Sequence, residues 1–105
     1  VVRDQYTVPT YAPHLAKAIL EILTEKIPFG TYHAVGGSAV AWYDYAKEIF
    51  ACAGIATDVE GIVTETKVGS PVRPLRSVLS SKKLSENGIS LPSWKDGLRE
   101  YLATI

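Results

Sequence analysis

Two segments with helical periodicity dominate the sequence, and every extended segment around them is short. In the first helical segment, apolar residues recur at i, i+3 and i+4 spacing over 15–23, with Thr10 as the expected N-cap and Pro28 as the stop. In the second, apolar residues share one face of 42–53, and Gly54 follows. Each helix therefore carries an apolar stripe that a second layer must cover.

The extended segments are few, and none is long enough to build a sheet by itself. Strands are predicted at 1–2, 31–35, 58–64 and 77–79. Residues 67–75 contain glycine and proline and are predicted to be a loop. Short helices are expected after Ser81 and Ser93, with Asp96 placed to complete a capping box. Helices alternating with short strands indicate an α/β fold, whose strands we expect to complete a larger sheet.

The length of 105 residues fits one domain or part of one. The sequence contains no methionine and begins on the apolar pair Val1-Val2, which has the character of a strand. We therefore expect residues 1–105 to be a single region of a longer protein.

Composition and charge argue against several functional classes. Eleven basic and eleven acidic residues balance, so no strong field draws the chain to nucleic acid or to an anionic membrane. No apolar run approaches the roughly 18 residues that a membrane span needs. The single cysteine, Cys52, allows no internal disulfide and fits a reducing compartment such as the cytoplasm. It lies in a helical pattern and is predicted to be a buried, inert thiol. His14 and His33 lack the acidic or cysteine partners that a metal site needs.

A first polar motif, Asp4-Gln5 followed by Pro9-Thr10, lies where a loop enters the first helix. Proline fixes the loop backbone, while Thr10 and the backbone amides of a helix start can face an anion. Ordinary helix capping explains the same residues, and for this motif alone it is the better explanation.

A second polar motif, Arg73-Pro74 with Arg76, lies on a loop that leads into a strand. Guanidinium groups suit phosphate oxygens because they donate two parallel hydrogen bonds and stay charged. A ligand carrying a pyrophosphate is therefore a reasonable expectation. For this motif taken alone, two solvated loop arginines are the better explanation.

Tyr43 and Lys47 have the Tyr-x-x-x-Lys spacing of an acid–base pair in which a lysine one helical turn on assists a proton-donating tyrosine. The chain has no Gly-x-Gly-x-x-Gly loop to hold a dinucleotide beside that pair. The tyrosine also follows Trp42 on a helix whose other face is core. We therefore expect the pair to be structural and not catalytic.

Taken in order, these motifs resemble the C-terminal portion of the dTDP-4-dehydrorhamnose reductase family, a group of extended short-chain dehydrogenases/reductases. The resemblance covers essentially the whole chain. It is carried by residues 1–11, 15–19, 30–33, 42–46, 49–50, 73–79, 83–84, 88–89 and 91–94. Each segment is modest, but the ordered set is specific.

The resemblance implies a small, helix-rich α/β substrate-binding region whose Rossmann half lies upstream of Val1. The full enzyme would bind NADPH or NADH on that half and reduce dTDP-4-dehydro-L-rhamnose to dTDP-L-rhamnose, a step of polysaccharide biosynthesis. Hydride would go to the carbonyl carbon, and an upstream tyrosine, assisted by lysine and Ser/Thr, would donate the proton. Residues 1–105 would then hold no catalytic, cofactor-binding or metal-binding residue and would be inactive alone. The resemblance leaves a homodimer open.

In the family pattern, Gln5, Pro9, Thr10 and Arg73 would line the nucleotide-sugar side of the cleft, so the implied partners are a dTDP-sugar and the Rossmann domain. The chain departs from that pattern at Thr7, His14, Ala41 and Arg76. At Arg76 the family often has asparagine, and this departure touches the site motif directly. A nucleotide-sugar epimerase or dehydratase fragment, or a non-catalytic binding or regulatory protein of the same superfamily, are the alternatives.

Overall fold

Seven regular elements follow one another along the chain in a computed structural model that describes residues 1–105. In chain order they are β1 (Tyr6–Thr7), α1 (Ala12–Thr24), β2 (Val40–Ala41), α2 (Trp42–Ala53), β3 (Arg76–Ser77), α3 (Lys82–Ser85) and α4 (Trp94–Leu102). The predicted small, helix-rich α/β architecture is confirmed. No helix is both long enough and apolar enough to cross a membrane.

The chain forms two compact units. The first unit comprises Val1–Thr7 and Ala39–Val78, and the second comprises Val8–Ser38 and Leu79–Ile105. All three strands and α2 belong to the first unit, whereas α1, α3 and α4 belong to the second.

The sheet of the first unit has the strand order β2-β1-β3. β1 pairs antiparallel with β2 and parallel with β3, so Tyr6 lies between Ala41 and Arg76. Val40 and Ala41 are buried and form the apolar part of this sheet. Because β1 has a neighbouring strand on each side, backbone hydrogen bonds on both sides fix the residues at its start. This places Asp4 and Gln5 next to the loop that precedes β3.

Helix α2 begins without a side-chain cap, because alanine occupies its N-cap position. Its first backbone N–H groups are satisfied from the segment before β1 instead. The Trp42 N–H donates to the Gln5 carbonyl at 3.2 Å, and the Tyr43 N–H donates to the Val2 carbonyl at 3.0 Å. Gly54 ends the helix in the left-handed conformation (φ 70°), as predicted from its position.

The prediction that Cys52 is a buried thiol is wrong. Cys52 is exposed, and its Sγ donates to Glu48 Oε1 at 3.4 Å, one helical turn earlier. No residue of α2 is fully buried. A helical pattern with a half-buried stripe therefore leaves its neighbouring positions in solvent, and the cysteine occupies one of them.

The second unit has the larger apolar core. Ala18, Leu84, Ile89 and Leu91 are buried, and the half-buried side chains packed against them are Leu15, Ile22, Ile27, Tyr32 and Ala34. Helix α1 contributes Leu15, Ala18 and Ile22, which have i, i+3, i+7 spacing. Ile19 and Leu23 of the predicted stripe are exposed. The inward face of α1 is therefore narrower than the sequence periodicity indicates.

The expected N-cap of α1 is wrong by one residue. Tyr11 occupies the N-cap position and makes no side-chain capping bond. The Thr10 hydroxyl donates to the Val8 carbonyl at 3.2 Å, so it stabilises the turn before the helix. The Ser93 cap of α4 is confirmed, since Ser93 Oγ accepts the Asp96 N–H at 3.4 Å. The capping box is not completed, because the Asp96 carboxylate accepts from the Ser93 hydroxyl and not from the Ser93 backbone N–H.

Most predicted strands are not regular strands. Residues 31–35 form no ladder, and 1–2 and 58–64 meet only in one isolated bridge, between Val2 and Ile62. A strand needs a neighbour that exchanges backbone hydrogen bonds along its length. In 31–35 the carbonyl of Thr31 accepts from the Lys83 ammonium at 3.0 Å. The predicted strand 77–79 is present but shifted, as β3.

Candidate functional site

A polar cleft of about 570 Å³ lies in the first unit. One wall is formed by the segment before β1, which carries Asp4 and Gln5, and the other by loop residues 64–66 and 70–73. The loop is anchored at its end, where the Tyr6 N–H donates to the Leu75 carbonyl at 2.8 Å. The strand pairing therefore holds the two walls against each other.

Asp4 and Thr64 are joined across the cleft by a set of hydrogen bonds. The Thr64 N–H contacts both Asp4 carboxylate oxygens, at 3.0 and 3.1 Å, and the Thr64 hydroxyl donates to Oδ1 at 2.7 Å. The side-chain bond first, and the backbone bond second, hold the pKa of Asp4 below its ordinary value. Asp4 is therefore an ionised acceptor whose oxygens are already engaged.

Gln5 is attached to the same group. Its Nε2 donates to Thr64 Oγ1 at 3.1 Å, and the side chain is half-buried. Its backbone carbonyl is also fixed, because it accepts from Trp42 at the start of α2. The predicted site residue Gln5 thus lines the cleft, and hydrogen bonds fix both its side chain and its backbone.

Arg73 lines the same cleft from the loop wall. It is exposed and makes no hydrogen bond or ion pair within the chain, so its guanidinium is available to an anion. The structure therefore brings two of the predicted site residues, Gln5 and Arg73, to one cleft. An acidic residue, Glu65, also lies on this wall.

Arg76 has a different environment from Arg73. It lies on β3 directly opposite Tyr6 of β1, and its Cζ is 5.5 Å from the centroid of the tyrosine ring. This is a cation–π contact on the sheet surface. Arg76 does not line the cleft. The two arginines of one sequence motif are thus separated into a free loop cation and a strand residue stacked on an aromatic ring.

Pro9 and Thr10, the other predicted site residues, belong to the second unit. Pro9 is half-buried and Thr10 is exposed, with its hydroxyl bonded to the turn before α1. Their part in binding stays a prediction.

Sequence reasoning missed Thr64, which lies sixty residues from Asp4. Asp4 stands inside the first polar motif, but no local signal connects it to a threonine in a distant extended segment. The adjacency of Asp4 and Gln5 is the one sequence signal that points to this network.

The Tyr43 and Lys47 pair is part of the packing of α2. The Lys47 ammonium lies over the face of the Tyr43 ring, 5.1 Å from its centroid. The edge of that ring packs against Gly61, where a Cβ would lie 3.4 Å from two ring carbons. Lys47 and the segment at Gly61 thus contact the Tyr43 ring on its face and on its edge. The absence of a catalytic role for this pair stays a prediction.

The junction of β2 and α2 lacks the features of a dinucleotide site of the glycine-rich type. Such a site needs glycines and free backbone amides at the junction of a strand and a helix. The junction between β2 and α2 has Ala41 at the N-cap, and the N–H groups of Trp42 and Tyr43 are already bonded to carbonyls. These two N–H groups are therefore not available to a phosphate.

A second cavity, of about 550 Å³, lies in the second unit and is mainly apolar. Its lining includes Leu23, the fully exposed Phe29 and a single charged side chain, that of Lys26. The set of donors and acceptors that would orient a polar ligand is in the cleft of the first unit.

Comparisons with known proteins cover the whole chain. A family sequence model described as the RmlD substrate binding domain matches residues 1–105. The spore coat polysaccharide biosynthesis protein SpsK of Bacillus subtilis is 36% identical over 102 residues, covering 97% of this chain and 35% of that protein. The dTDP-4-dehydrorhamnose reductase of Mycolicibacterium smegmatis is 28% identical and covers 100% of this chain and 33% of that protein.

Solved structures agree with the sequence comparisons. The dTDP-4-dehydrorhamnose reductase of Bacillus anthracis, crystallised in complex with NADP, superposes with a TM-score of 0.87 at 32% identity. The match covers 100% of this chain and 37% of that one. The chain thus spans about a third of the length of the relatives that it matches.

Proposed function

The chain belongs to the family of RmlD substrate binding domains, and from this premise we propose that residues 1–105 are the substrate-binding region of a dTDP-4-dehydrorhamnose reductase. The complete protein would reduce the 4-keto group of dTDP-4-dehydro-L-rhamnose to give dTDP-L-rhamnose. This activity would place the protein in polysaccharide biosynthesis, in which one relative is named. A cytoplasmic location stays part of the same proposal.

The cleft of the first unit is the observation that carries this proposal. It combines an unpaired guanidinium, Arg73, with a half-buried amide, Gln5, that is held in place by Thr64. A nucleoside diphosphate sugar presents both an anionic pyrophosphate and neutral hydrogen-bonding groups. An arginine suits the first and an oriented amide suits the second. Pro9 and Thr10 are likewise proposed as substrate-binding residues.

The reacting groups would come from the remainder of the protein. The first two N–H groups of α2 are already bonded to carbonyls, and the Lys47 ammonium lies over the Tyr43 ring. NADPH or NADH, the hydride donor, and the proton-donating tyrosine are therefore proposed to lie in a Rossmann domain outside residues 1–105. The role of this region is to bind the nucleotide sugar and to orient its 4-keto group.

The test is NADPH oxidation by the intact protein with dTDP-4-dehydro-L-rhamnose, compared with binding of the same ligand by calorimetry. The proposal expects both binding and turnover. Binding without turnover would favour a non-catalytic protein of the same superfamily. An absence of binding to any dTDP-sugar would overturn the proposal.

A further inference from the structure

We infer that Asp4 and Thr64 are positioning residues that fix the orientation of the Gln5 amide, so that Gln5 presents a hydrogen-bond acceptor to the ligand. The ligand group recognised there would be an N–H or O–H donor. This inference rests on the proposed function, because it assigns a part of the nucleotide sugar to a particular side chain.

The orientation of the Gln5 amide follows from the hydrogen count along the network. An ionised carboxylate only accepts, so the single hydrogen of the Thr64 hydroxyl is used on Asp4 Oδ1, at 2.7 Å. The lone pairs of Thr64 Oγ1 remain, and they accept from Gln5 Nε2 at 3.1 Å. If the amide were rotated by 180°, its carbonyl oxygen would face another oxygen with no hydrogen between them. The network therefore fixes which end of the amide faces Thr64.

The other end of the amide is then an acceptor. Gln5 Oε1 has no hydrogen-bond partner within the chain, while the residue lines the cleft together with Arg73. A pyrophosphate has no proton to donate near neutral pH, so Gln5 Oε1 cannot bind it, and only the second Nε2 hydrogen of Gln5 could face a phosphate oxygen. In a dTDP-sugar, the donors are the imide N3–H of thymine and the sugar hydroxyls. Arg73 and Gln5 would thus recognise different parts of one ligand.

The experiment uses the intact protein and two substitutions at position 64. Thr64→Val removes the hydroxyl but keeps the shape and the backbone N–H, whereas Thr64→Ser keeps the hydroxyl. Calorimetry with the dTDP-sugar should show binding about three- to tenfold weaker for Thr64→Val, the effect of one neutral hydrogen bond. Thr64→Ser should restore affinity to within about twofold of wild type.

The source of the donor is identified with two further ligands, dTDP and its N3-methyl derivative. If the donor is the imide, wild type prefers dTDP to the methylated ligand, and Thr64→Val loses that preference. If the donor is a hydroxyl of the hexose, Thr64→Val weakens binding of the dTDP-sugar and leaves binding of dTDP unchanged. If it is the 3′-hydroxyl of the deoxyribose, Thr64→Val weakens binding of dTDP and of its N3-methyl derivative equally. A role in stability alone would not change either selectivity.

A Gln5→Leu background keeps the test decisive if Thr64→Val also lowers the melting temperature. The effect of Thr64→Val on affinity should vanish in that background, because the amide it orients is gone. Equal dissociation constants for wild type and Thr64→Val, or an equal loss in both backgrounds, would overturn the inference. A wild-type protein that binds neither dTDP nor the dTDP-sugar would instead overturn the proposed function itself.

Discussion

Thr64 donates both its backbone N–H and its hydroxyl to the carboxylate of Asp4, which precedes it by sixty residues. These bonds tie the loop wall of the cleft to the segment before β1. They favour the ionised carboxylate, so they couple the integrity of the cleft wall to pH.

The first prediction concerns acid stability. The pKa of Asp4 is lowered from its ordinary value of 3.8 by the Thr64 hydroxyl and then by the Thr64 N–H. A group whose folded pKa is depressed contributes stability above its unfolded pKa and loses it as pH falls through the folded value. Asp4→Asn should therefore lower the melting temperature of the intact protein at pH 6, with a difference from wild type that shrinks below pH 3.8.

Asp58→Asn is the control for this measurement, since Asp58 is exposed and makes no hydrogen bond. Melting temperatures of the three proteins are compared by calorimetry from pH 6 downward. If the melting temperatures of wild type and Asp4→Asn differed by the same amount at every pH, Thr64 would not stabilise the ionised carboxylate of Asp4.

The second prediction concerns the approach of α4 to the start of α1. Gly97 is buried, and a Cβ placed on it would lie 2.6 Å from the Tyr11 Cβ. Gly97→Ala should therefore destabilise the protein by about 1–3 kcal/mol, despite the better helix propensity of alanine. Gly37→Ala is the matched control, because nothing lies within 4 Å of its added Cβ. Urea unfolding would refute the close contact if the two substitutions had the same effect.

The third prediction separates two serines at helix starts. Ser93 accepts the Asp96 N–H at 3.4 Å and donates to Asp96 Oδ2 at 3.2 Å. Ser81 occupies the N-cap position of α3 without a side-chain capping bond. Ser93→Ala should cost about 1 kcal/mol in the free energy of unfolding, and Ser81→Ala much less. Equal losses would mean that the Ser93 cap contributes nothing specific.

Local signals were sufficient for the end of α2 and the start of α4 but not for the strands. The glycine after α2 and the serine before α4 act within a few residues, so the sequence predicts both ends correctly. A strand depends on a partner elsewhere in the chain, and 31–35 has none. Alternating burial at Tyr32 and Ala34 arises from packing on the core, not from a ladder. The period-2 pattern alone does not distinguish these two cases.

The same distinction applies to the site. Gln5 and Arg73 belong to two short motifs that gain a site role only from the family resemblance, and the structure brings them to one cleft. Thr64 was not recognised, because its role depends entirely on a residue sixty positions away. The second polar motif by itself also does not show that Arg73 and Arg76 have different environments. Only the strand register shows that Arg76 stacks on Tyr6.

The most direct test of the account is the dissociation constant of a dTDP-sugar for the intact protein and for two arginine substitutions three positions apart. Arg73→Ala should weaken binding by about 1.5–3 kcal/mol, roughly ten- to hundredfold, because a charged hydrogen bond to the ligand is lost. Arg76→Ala removes the same side chain from the surface of the sheet and should leave the dissociation constant within about twofold of wild type. Equal constants for wild type and Arg73→Ala would contradict the assignment of the cleft as the binding site.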